Sequence, residues 1–277
     1  MANSSKTFAE AAASYVEHGG DAKYISKLTA EIGGLPLDAI IPFDIKQLAL
    51  RLFPHQSNST RNRGVLTPVS AVLNHAHERG WGPVIRLGRF KENRPVRRRA
   101  ASQIWLHEFV RQCDKDDLPH VAALVLFMSQ TGARVSEAID LKWSDFDLST
   151  RSVVLRKVKN ESNAVRFFAD NLVGRLFELQ RASTADSRAF KYRCRHSVNE
   201  RIKAVCQRAD LPYKPSHTCG RHAMANNALE LGVDIKSTMI AGGWRSTAVF
   251  LDTYVNPRNS GRLVADRFNS YQYDADI

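Results

Sequence analysis

The sequence predicts a mainly α-helical protein with one small β-sheet or hairpin, arranged as two domains. Three observations carry that expectation. Apolar residues recur at helical spacing through most of the chain. Strand-like runs occur only around residues 152–168. A basic stretch broken by Gly88 and Pro95 lies between two apolar-rich regions. The expected boundaries are a helical domain over 1–85, a basic linker over 86–99 and a mixed α/β domain over 100–277. A length of 277 residues is enough for two domains, and 43% apolar content is enough for a substantial core.

Phe8, Ala11, Ala12, Tyr15 and Val16 make the first amphipathic face. A second helix is expected over 23–32, stopped by Gly33-Gly34. Pro42-Phe43-Asp44 restarts the chain into a helix over 45–53, and 54–60 reads as loop. A longer helix over 60–79 has Val65, Val69, Val72, Leu73 and Ala76 as its apolar side. Beyond the linker, 102–113 fits a helix with Ile104, Trp105, Phe109 and Leu106 inward. Residues 119–130 form a strongly apolar helix, Gly132 breaks it, and 135–141 starts again. A polar turn over 143–150 leads to strands over 152–156 and 165–168, and then a helix over 171–181. A second basic segment covers 188–203, and a short tail helix is expected over 261–268.

Charge narrows the function. Lys and Arg number 40 against 28 Asp and Glu, a net +12. That excess favours a polyanion, nucleic acid first and an anionic membrane surface second. The longest apolar run, 121–128, is far too short to cross a membrane, and the first ten residues lack a signal-peptide core. The four cysteines show neither a CxxC pair nor metal-ligand spacing, which reads as free thiols in a reducing compartment. The expected location is cytoplasmic and nucleoid-associated. In the linker, Arg86, Arg89, Lys91, Arg94, Arg97, Arg98 and Arg99 face one acidic residue, Glu92, and could neutralise several phosphates.

Residues 215–257 gather groups suited to phosphate. Arg221 offers a forked cation, His217 an imidazole, Trp244 an indole N–H and Tyr254 a hydroxyl. Read alone, Arg221 is an ordinary surface or salt-bridge arginine and Tyr254 a half-buried packing tyrosine.

The order of motifs adds more. TGARVSEAIDLKWSDFDL, residues 131–148, resembles the first active-site box of the tyrosine recombinase (phage integrase) family. The resemblance makes Arg134 the first catalytic arginine and Glu137 a structural carboxylate. LRKVKNESNAVRFF, residues 155–168, resembles the hairpin that carries the family's mobile lysine; Lys159 is the best match and Lys157 the alternative. Arg221-His222 resembles the second catalytic arginine and its following histidine. The family places another histidine three residues before that arginine, where this chain has Thr218. His217 is one residue early, so either residue could hold the position. Gly243-Trp244 resembles the Gly-His box with tryptophan in place of histidine. Tyr254 matches the nucleophile, ten residues after Trp244 where nine is usual.

The resemblance covers roughly 100–256 and implies a helical core-site DNA-binding domain ahead of the catalytic domain. It implies attack by Tyr254 on a phosphodiester held by Arg134 and Arg221, with Lys159 protonating the departing 5′ oxygen and His217 assisting proton transfer. Trp244 would position a phosphate oxygen. No cofactor or metal is implied. The implied partners are double-stranded DNA attachment sites and other copies of the chain in a DNA-bound tetramer, with accessory DNA-bending proteins as a further class and no membrane. Phage or mobile-element integration and excision lead. Chromosome-dimer resolution, a type IB topoisomerase and a noncatalytic architectural protein are the alternatives.

Association with duplex DNA should weaken as salt rises, with log K falling by about 0.9 per phosphate contact for each unit of log[salt]. A salt titration of binding checks this, and a flat response would exclude a broad basic footprint.

Overall fold

The computed structural model describes residues 6–93, 99–156, 164–181, 183–255 and 260–269. The chain divides into two compact units, Met1–Val96 and Arg97–Ile277.

The first unit is all helical: α1 Phe8–Glu17, α2 Ile25–Ile32, α3 Pro42–Leu52, α4 Asn58–Arg61 and α5 Thr67–Glu78. Thr7 starts α1 by accepting from the Glu10 amide, while Glu10 reaches back to the Thr7 amide at 2.8 Å. Phe8, Leu28, Ile45, Val65, Val69 and Val72 are buried in one core. The long helix expected over 60–79 is not uniform. It opens at α4, passes through a π-helical turn over Asn62–Leu66 and becomes α5. Gly64 in that turn sits under the Phe53 ring, where a Cβ would collide at 2.8 Å. The wider turn aims the buried Asn62 at 90–92. Its amide donates to the Phe90 carbonyl (2.9 Å) and to Glu92 (2.7 Å), and it accepts from the Phe90 amide (2.9 Å). Ile85, Leu87 and Phe90 pack on the first core, so the basic run begins as part of this unit rather than as free connector.

The second unit starts with α6 Gln103–Lys115, α7 Pro119–Thr131 and α8 Val135–Asp140. Helix α7 is its centre. Nearly every side chain from Val121 to Met128 is buried, because α6, α9 Asp170–Arg181, α10 Arg195–Arg208 and α12 Arg221–Glu230 all pack on it. Trp105, Leu106 and Phe109 of α6 point inward as expected, but Ile104 is 78% exposed. It lies one position, and so about 100° of helical rotation, off that stripe. The 143–150 segment is more ordered than a polar turn. Trp143 is buried in a 3₁₀ turn, and β1 Phe146–Asp147 follows. β1 pairs antiparallel with β2 Ser152–Leu155, which pairs antiparallel with β3 Ala164–Phe167, in the order β1-β2-β3. The chain then runs through α9 and α10 to α11 Ser216–Cys219, α12, α13 Ile235–Gly242, α14 Thr247–Tyr254 and the tail helix α15 Ser260–Asn269. The fold is therefore mainly α with a small sheet, as the sequence predicts.

All four cysteines are free, and burial pushes the Cys113 thiol up to about 12. No helix among the described residues is long and apolar enough to cross a membrane.

Phe127 is fully buried, with the Phe146 ring at 5.7 Å and the Phe190 ring at 5.3 Å. Phe127→Ala should cost the second unit about 3–5 kcal/mol. Urea unfolding followed by tryptophan fluorescence measures the loss.

Candidate active site

Two glycine turns build the site's frame. Gly132 ends α7 and Gly243 ends α13, both left-handed with φ of 67°. The turns approach so closely that a Cβ on Gly132 would stand 3.2 Å from the Gly242 Cα. One on Gly242 would overlap the Trp244 ring.

Arg221, the first residue of α12, ties the turns together. Its Nη1 donates to the Gly132 and Gly242 carbonyls, each at 2.7 Å, and its Nη2 to the Gly243 carbonyl at 3.3 Å. The guanidinium lies 3.9 Å from the Trp244 ring centroid, in cation–π range. Burial lowers its pKa and the nearby Arg134 lowers it further, while Tyr254 and Glu137 favour the charged form.

Arg134 stands two residues past Gly132, at the start of α8. Glu137 holds it twice, accepting from its amide and from its Nη1, both at 2.7 Å. Glu137 is thus a holding carboxylate, and it leaves the arginine side chain about half exposed. Tyr254 ends α14 and is 9% exposed. Its ring meets His222 at 4.8 Å, Trp244 at 5.0 Å and Phe250 at 5.2 Å.

The two irregular spacings fall at breaks between helices. The helix is interrupted at Gly220, between α11 and α12, where a Cβ would meet Met128 and the Ser216 carbonyl at 2.7 Å each. Thr218 faces the interior, 1% exposed, its hydroxyl without a hydrogen-bond partner among the described residues. His217 is exposed, and its ring lies 5.5 Å from His222, which in turn contacts Tyr254. Between Trp244 and Tyr254 lie a short non-helical segment and α14, whose N-cap Ser246 accepts from the Val249 amide.

The structure therefore gathers Arg134, Arg221, Trp244 and Tyr254, with His217 reaching them through His222. Lys159 and its alternative Lys157 lie outside the described residues, as do Arg94, Arg97 and Arg98. Arg86, Arg89 and Lys91 are exposed on the first unit and Arg99 is exposed on the second. Sequence reasoning missed Arg166 in β3, a half-buried arginine whose Nη2 occupies the space a Gly243 Cβ would need. An arginine at alternate spacing with Ala164 and the apolar Phe168 was the available signal.

The model of the phage integrase family matches residues 105–260. The chain belongs to the phage integrase family. Its members are tyrosine recombinases, and its activity is site-specific cleavage and rejoining of DNA. No curated protein matches the chain in sequence. Among solved structures it resembles the Tn1549 transposon integrase in complex with circular intermediate DNA, at 15% identity and a TM-score of 0.72, over 95% of this chain and 99% of that one. It resembles the lambda integrase dimer bound to a COC′ core site at 13% identity and a TM-score of 0.65, over 98% of this chain and 79% of the other. The XerH recombinase bound to a palindromic difH substrate has 14% identity and a TM-score of 0.61, over 90% of this chain and 77% of the other. At such identities the shared property is the fold.

Arg221→Lys should destabilise the recombinase. A lysine ammonium cannot present the guanidinium fork to three carbonyls, and each buried acceptor left unpaired costs about 1–3 kcal/mol. Thermal unfolding of the variant checks this, and an unchanged transition would mean that the staple carries no stability.

Proposed function

We propose that this recombinase binds duplex attachment sites and exchanges strands to integrate or excise a phage or other mobile element. The observation that carries the reading is the Arg221 guanidinium stacked on Trp244, whose ring also meets that of Tyr254, with Arg134 near Arg221.

In this reading the phosphodiester is held by Arg134 and by the Arg221 donors not spent on carbonyls. Their charge offsets that of the non-bridging oxygens, which build up negative charge in the pentavalent transition state. The Tyr254 oxygen attacks phosphorus, and its proton leaves by way of His217. The bond from phosphorus to the 5′ oxygen breaks, with Lys159 supplying the proton to that oxygen. The products are a 3′-phosphotyrosyl link and a free 5′-hydroxyl. Attack by a partner strand's 5′-hydroxyl reverses the step and conserves the phosphoester, so no nucleotide hydrolysis is required. Trp244 donates a hydrogen bond and packs the site but cannot carry a proton at neutral pH. Exchange between two duplexes calls for a tetramer. The tail helix α15 leaves Val264 (53%) and Phe268 (63%) exposed, which supports its docking on a neighbouring copy. The domains over 1–85 and 100–277 and the basic 86–99 run would each contact the duplex, with Arg86, Arg89, Lys91, Arg94 and Arg97 to Arg99 on phosphates.

A nicked suicide duplex carrying the attachment site, without metal, should yield a covalent 3′-linked adduct that Tyr254→Phe abolishes. DNA binding without an adduct would favour an architectural role, and an adduct from Tyr254→Phe would refute the nucleophile assignment.

His217→Ala should slow cleavage by roughly 10²–10⁴-fold, the usual worth of a positioned acid or base. Thr218→Ala should leave the chemical step intact. Single-turnover cleavage rates decide between them, and a strong defect only in Thr218→Ala would reverse the assignment.

A further inference from the structure

We propose that Arg166 is a third arginine for the phosphate that Arg134 and Arg221 hold. The inference rests on the strand-transfer reading above and adds a residue that none of the family motifs in this chain points to.

Arg166 pairs with Val153 across the sheet. Residues directly opposite share a face, and Val153 is fully buried, so Arg166 lies on the inner face. A cation placed there needs partners. Its Nε is enclosed and has no hydrogen-bond partner among the described residues. Its Nη1 makes a long 3.3 Å bond to the carbonyl of its own neighbour, Val165. Its Nη2 lies against Gly243, beside the Trp244 turn.

The surrounding charge is positive. Burial lowers the Arg166 pKa, the nearby Glu137 opposes that and Arg134 adds to it. Glu137, the carboxylate that Arg166 senses, is already engaged by the Arg134 amide and side chain. Arg221 spends three of its N–H groups on carbonyls. Arg166 has the larger share of uncommitted N–H groups of these two arginines, on the strand that ends the lysine hairpin. A phosphate oxygen at the site would give those groups the charged acceptor they lack.

The experiment compares binding in a Tyr254→Phe background, on a duplex the protein itself selects from random-sequence DNA. Single neutral methylphosphonates are walked through the site. Arg134→Gln first identifies the phosphate at which its own defect disappears. Arg166→Gln should weaken binding to ordinary DNA by roughly 10-fold, the scale of a hydrogen bond to a charged group. Its defect should vanish at the same position as that of Arg134→Gln. Its salt slope should fall by about 1. Arg166→Lys should keep part of the affinity, and it serves as the second variant if circular dichroism shows Arg166→Gln misfolded. Equal weakening on every duplex would make Arg166 a packing residue and overturn the proposal, as would loss of its defect at a different phosphate. Failure of the unsubstituted protein to form a covalent adduct would sink the strand-transfer reading, yet the phosphate walk would still decide whether Arg166 and Arg134 share an anion.

Discussion

The Arg221 guanidinium, bonded to the carbonyls of Gly132, Gly242 and Gly243, is the contact on which the rest of the site depends. Those glycines belong to turns more than a hundred residues apart in the chain. One turn delivers Arg134 at the start of α8, and the other delivers Trp244 and then the helix ending in Tyr254. Without a shared donor, three buried or half-buried carbonyls would lack a partner and the turns would have no reason to meet. The cost of burying the cation is offset by these neutral acceptors and by the Trp244 face beneath it.

The glycines make that contact sterically open. Gly132 and Gly243 both need a left-handed backbone, and the Gly132–Gly242 approach leaves no room for a side chain. Gly220 plays a different part. It interrupts the helix immediately before Arg221.

Much of this was legible in the sequence. The apolar stripe of α1, the wholly apolar α7 and the β2–β3 pair follow from periodicity, and Arg134, Arg221 and Tyr254 follow from ordered motifs. Other features depend on contacts that a one-dimensional pattern does not hold. Ile104 had the right hydrophobicity but the wrong angle on its helix. The π turn at Asn62–Leu66 exists because Asn62 has backbone to clasp near Phe90, 28 residues onward. His217 and Thr218 could not be ranked by spacing alone. Their separation comes from which side of a four-residue helix faces the interior. Arg166 was overlooked because a lone arginine in a short strand reads as an edge charge until its opposite number, Val153, proves fully buried.

The choice of acceptors also bears on catalysis. Had carboxylates neutralised Arg221, an incoming phosphate would have to displace them before feeling any attraction. Main-chain carbonyls orient the guanidinium and leave its formal charge intact. Glu137 follows the same economy, since one carboxylate holds the backbone and side chain of Arg134 from a single side and leaves the rest of that guanidinium exposed. Burial lowers the Arg221 pKa, and the like charge of the nearby Arg134 adds to that lowering. An anion bound between them relieves that repulsion. Under the proposed strand-transfer reading, a frame already in place leaves little reorganisation when charge builds on the phosphoryl oxygens.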